Sequence, residues 1–95
     1  MARNSDSQAD VTVGLPEGLH MRPLSVLSKA AQGYTAEIHI RKGGQIADAK
    51  RPLELMTLAA ECGEMLSIEA DGHDAEAAIS HLVSLFASNF ADDAE

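Results

Sequence analysis

The apolar residues of this chain keep changing period, from alternate positions to every third or fourth. Each change falls at a glycine, a proline or an Asp-Gly pair. Such switching points to a mixed fold of short strands and helices. Val11 to Leu15 alternates as a short strand. Leu24, Leu27 and Ala31 recur at helical spacing and predict a helix from Met21 to Gln32, with Gly33 as its stop. Tyr34 to Arg41 alternates again. Lys42-Gly43-Gly44 is a hairpin turn, because two glycines permit positive φ, and Gln45 to Lys50 returns as an Ala-rich strand. Arg51-Pro52 opens a short helix with proline at its first position, and Glu61-Cys62-Gly63 ends it. Glu64 to Ala70 is the last strand, with Met65, Ser67 and Glu69 on one face and Leu66, Ile68 and Ala70 on the other. Asp71-Gly72 turns the chain. Asp74 is suited to cap a final helix through Phe90, whose buried stripe is Ala78, Ile79, Leu82, Phe86 and Phe90. The order βαββαβα predicts an α+β domain, with helices on one face of a mostly antiparallel sheet.

At 95 residues the chain makes one domain with a modest core. Residues 1–9 are expected to be a flexible tail, 10–90 the domain, and 91–95 a frayed acidic end. Tryptophan is absent, so Leu, Ile, Val, Met and Ala are expected to fill the interior. No apolar run reaches transmembrane length, and the polar start MARNSDSQAD lacks the apolar core of a signal peptide. Cys62 is alone, which precludes an internal disulfide. These features fit a cytoplasmic protein with no stable membrane insertion. Small size and an acidic surface suit a monomer.

The net charge of −8 argues against nonspecific nucleic-acid binding. Every Lys and Arg lies at or before Arg51. Arg22, Lys29, Lys50 and Arg51 are candidates for a basic patch that steers an acidic partner or stabilises an anion. Simple solvation is the alternative, and it is preferred for Arg41 and Lys42. No histidine has partners at metal-ligand spacing, so no metal site is expected, and no cofactor motif is present.

The run Pro16-Glu17-Gly18-Leu19-His20-Met21-Arg22-Pro23-Leu24 places a histidine where a helix should begin. Ser, Thr, Asp or Asn normally caps that position, and histidine caps poorly. A helix N-terminus carries unpaired amides and roughly half a positive charge, which favours phosphate. Pro23 costs the first turn one N–H, a loss the helix tolerates, and the amides of Met21 and Arg22 remain to bind an oxyanion. The Arg22 guanidinium adds a fork that fits phosphate oxygens. His20 is then a nucleophile beside a phosphate cradle. With no evident general base or metal-binding acid, the site suits moving an already activated phosphoryl group. A loop histidine beside a solvated arginine is the plainer alternative for these two residues alone.

The Gly-Leu-His-x-Arg-Pro string closely resembles the active-site motif of the HPr family, the histidine-containing phosphocarriers of the bacterial phosphoenolpyruvate-dependent phosphotransferase system. The likeness runs from about Val11 to about Phe90. It includes the Gly-Tyr-Thr-Ala-Glu-Ile segment from Gly33, the Lys50 to Leu58 segment and the Ala-Asp-Gly turn at 70–72. The resemblance implies an open-faced β-sandwich with four antiparallel strands in the order 1-4-2-3 and three helices on one face. It implies that His20 is phosphorylated on Nδ1 with Arg22 beside it as the other catalytic residue, and that the chain is a carrier and not an enzyme. It further implies that phosphorylated enzyme I is the donor and an EIIA-type protein the acceptor. The docking positions it implies are Leu24, Lys29, Arg51, Pro52, Leu53 and Met56. The sequence also departs from the family. Glu17 stands where Asn is frequent, Leu24 where Ala is usual, and Arg51 where many members carry a regulatory serine, so that control is expected to be absent. A regulatory binding module, switched by phosphorylation of His20, is the alternative function.

Overall fold

The computed structural model describes residues 7–91. The elements are β1 (Ser7–Thr12), α1 (Met21–Gln32), β2 (Glu37–Lys42), β3 (Gln45–Asp48), α2 (Pro52–Met56), β4 (Met65–Asp71) and α3 (Ala75–Ala87). The strands form one antiparallel sheet in the order β1-β4-β2-β3. The three helices cover one face: α3 lies on β1 and β4, and α1 packs against α2 and α3.

The element order and α1 match the sequence expectation. Several boundaries move, each for a tertiary reason. The first strand begins at Ser7 and not at Val11, because the β4 ladder runs from Ser7 opposite Ala70 to Thr12 opposite Met65. Three residues assigned to a tail, Ser7 to Ala9, are thus sheet; the remainder of that tail, residues 1–6, lies outside the described residues, as do 92–95 of the acidic end. The second strand begins at Glu37 and not at Tyr34, because the amides of Thr35 and Ala36 donate to the Asp74 carboxylate and not to a ladder. Asp74 occupies the cap position of α3 but makes no side-chain cap bond, which corrects its expected role. The third strand stops at Asp48, whose Oδ1 accepts the amide of Lys50 and whose carbonyl accepts that of Arg51.

The core is built from Leu27, Ile40, Ile68 and Leu82, all fully buried, with Ala31, Ala49 and Ala78 letting backbones approach. The inward face of β4 is Leu66, Ile68 and Ala70, as the alternation implied. Phe90 lies beyond the end of α3 at φ +63, yet it is buried and meets Phe86 edge-on at 5.1 Å. Among the described residues methionine does not fill the interior: Met21, Met56 and Met65 are all exposed. Met21 lies on α1 and Met56 on α2.

Candidate functional site

The segment entering α1 is held by backbone geometry. Gly18 adopts φ +77, a conformation that strains any residue with a Cβ. A Cβ there would stand 2.7 Å from the carbonyl oxygen of Ala60. The next residue, Leu19, donates its amide to that same carbonyl at 2.9 Å, while Gly18 donates to Leu15 at 2.9 Å. The loop is thus clamped to the segment between α2 and β4. Nothing local in the sequence signals this long-range clamp except the glycine itself.

The clamp delivers His20 to the cap position of α1 in an extended conformation, φ −89 and ψ −171. Its carbonyl accepts the amide of Leu24 at 3.0 Å, the first bond of the helix. Its ring makes no capping bond, and its side chain is 44% exposed. The ring is therefore available at the surface beside the positive end of the helix. Met21 and Arg22 precede that first bond, Pro23 carries no N–H, and the first turn has no acidic side chain. Glu17 Oε1 is 3.9 Å from His20 Nε2. Arg22 is exposed in the same turn.

Other site expectations divide. Leu53 is 75% exposed, Met56 44% and Met21 55%, so large apolar side chains of α1 and α2 face solvent. Pro52 is half-buried and Arg51 exposed. Lys29 is exposed in the last turn of α1, where a cation complements the helix dipole. Leu24 is corrected: at 2% exposure it belongs to the core with Leu27 and Ala31, and it offers nothing to a partner. The proposed basic patch is also reduced. Lys50 donates to the Tyr34 carbonyl at 2.7 Å, and Arg51 lies 3.8 Å from Asp48 and 4.0 Å from Glu54. Arg41 and Lys42 are not merely solvated. Arg41 pairs with Glu69 at 3.2 Å, and Lys42 joins Glu64 at 3.0 Å to the carbonyls of Leu58 and Ala59.

The family described as "PTS HPr component phosphorylation site" matches residues 7–88. The chain belongs to the HPr family. It is 42% identical to the phosphocarrier protein HPr of Haemophilus influenzae over 76 residues, 80% of this chain and 89% of that one. It is 37% identical over 71 residues to the multiphosphoryl transfer protein of Xanthomonas campestris, covering 75% of this chain and 8% of that much longer one. The crystal structure of HPr-C-His from Thermoanaerobacter tengcongensis superposes with a TM-score of 0.86 at 28% identity, over 88% of this chain and 94% of that one.

The role of the chain is accordingly that of a phosphocarrier in the phosphotransferase system, with phosphotransfer proteins of that system as its partners. The fold of the HPr family is the observed sheet order with three helices. Among the described residues, no helix is long and apolar enough to cross a membrane, and no group of three or more His, Cys, Asp and Glu side chains is arranged to hold a metal ion.

Proposed function

We propose that His20 is the phosphorylated residue, through Nδ1, and that it passes a phosphoryl group from phosphorylated enzyme I to an EIIA-type acceptor. The observation that carries this is the cap position of α1, filled by an exposed histidine that does not cap. The amides of Met21 and Arg22 at the helix start receive the phosphoryl oxygens, and the Arg22 guanidinium adds charge where the transferring group sits. The donor and acceptor dock over Met21, Pro52, Leu53 and Met56, with Lys29 and Arg51 supplying positive charge at the margin. The protein works as a monomer in the cytoplasm and is itself consumed and regenerated in each transfer, so it is a carrier and not an enzyme.

Incubation with enzyme I, phosphoenolpyruvate and Mg²⁺, followed by intact mass, tests the assignment. The parent protein gains one phosphoryl group that is acid-labile and base-stable, and His20→Ala gains none. Full labelling of His20→Ala refutes the assignment.

A further inference from the structure

The loop before α1 sets a carboxylate against one nitrogen of the His20 ring. Glu17 Oε1 is 3.9 Å from His20 Nε2, within ion-pair range and beyond a direct hydrogen bond. The bend between the two residues is fixed, because Gly18 and Leu19 are packed on and bonded to Ala60. In a neutral imidazole, a proton kept on one nitrogen leaves the lone pair on the other. An ionised carboxylate only accepts, so it favours the ring form whose proton is on the facing nitrogen.

We infer that Glu17 is a positioning residue for phosphoryl transfer: its carboxylate keeps a proton on His20 Nε2 and thereby presents Nδ1 as the nucleophile. This rests on His20 being the phosphorylated residue. When the group arrives, the Nδ1 lone pair forms the N–P bond while the bond from phosphorus to the donor breaks and its electron pair stays with the donor. Nε2 remains protonated, so the phosphorylated ring is cationic, and Glu17 offsets that charge. When the group leaves, the Nδ1–P bond breaks, its electron pair stays on Nδ1, and the ring is neutral again. No proton moves in either direction. The carboxylate acts on the nitrogen that does not carry the phosphoryl group. Both side chains are solvated, at 44% and 83% exposure, so the effect is modest.

The test uses Glu17→Gln, which removes the charge at constant shape, and Glu17→Ala, which removes the contact. Nitrogen-15 NMR of the His20 ring reads the tautomer, and a stopped-flow assay with phosphorylated enzyme I reads acceptance. Both variants still gain one phosphoryl group by mass. Their Nε2–H population falls, and acceptance slows by about twofold to fivefold at saturating phosphorylated enzyme I, with KM unchanged. Unchanged tautomer populations and acceptance rates in both variants overturn the role of Glu17 and leave His20 intact as the carrier. Labelling of His20→Ala removes the assignment of His20 as the phosphorylated residue on which this rests.

Discussion

The carboxylate of Asp74 accepts the backbone amide of Thr35 at 2.9 Å and, through its other oxygen, that of Ala36 at 2.8 Å. One side chain at the start of α3 thereby anchors the segment that leads into β2. The contact holds the Asp74 carboxyl below the usual aspartate range, chiefly through the Thr35 amide; desolvation, the next-largest effect, opposes it, and the bond from Ala36 and the nearby His73 add smaller lowering effects.

The depressed carboxyl makes stability depend on pH in one direction. Because the folded value lies below the unfolded one of about 3.9, the contribution is complete above that value and is lost as pH falls through the folded one. Glu64 behaves alike, its carboxyl lowered first by the Glu61 amide and then by Lys42. Asp74→Ala is expected to lower the melting temperature at pH 7 and to flatten the acid limb of a melting-temperature-versus-pH curve. Parallel curves for parent and variant refute this.

Gly18→Ala forces a Cβ toward the Ala60 carbonyl at a positive φ. The expected cost is about 1–3 kcal/mol in urea denaturation, because neither the backbone angle nor the contact relaxes without moving the loop. Phosphoryl acceptance from enzyme I slows as well, since His20 follows the same clamp. A variant of parental stability and rate shows that the loop adapts freely.

Leu24 and Leu53 separate packing from docking. Leu24→Ala opens a cavity beneath α1 and is expected to cost about 2–5 kcal/mol in denaturation. Leu53→Ala is expected to leave stability within about 0.5 kcal/mol and to raise the KM for enzyme I or the acceptor. The opposite pattern places Leu53 in the core and Leu24 at the interface.

Short-range rules were enough to find most elements. Helical spacing of Leu24, Leu27 and Ala31 identified α1 to the residue, and the alternation in β4 identified its buried face. The same spacing already pointed Leu24 inward; likeness to a docking position pointed it outward, and burial decided. The candidate site was legible because a histidine at a helix start breaks a local rule, which is where function shows through sequence.

What amino-acid order alone determined was the succession of elements, the buried stripes and the histidine placed at the mouth of α1, because backbone preference and apolar period act between near neighbours. Tertiary structure alone decided where β1 and β2 begin, that Asp74 serves the β2 entry and not its own helix, that Lys42 is tied to Glu64, and that Glu17 faces Nε2. The Asp74 and Lys42 contacts join residues far apart in the chain, and Glu17 reaches His20 only through a bend fixed by Ala60. Which of several nearby donors a carboxylate or ammonium meets depends on how the elements pack, and local sequence does not encode that choice.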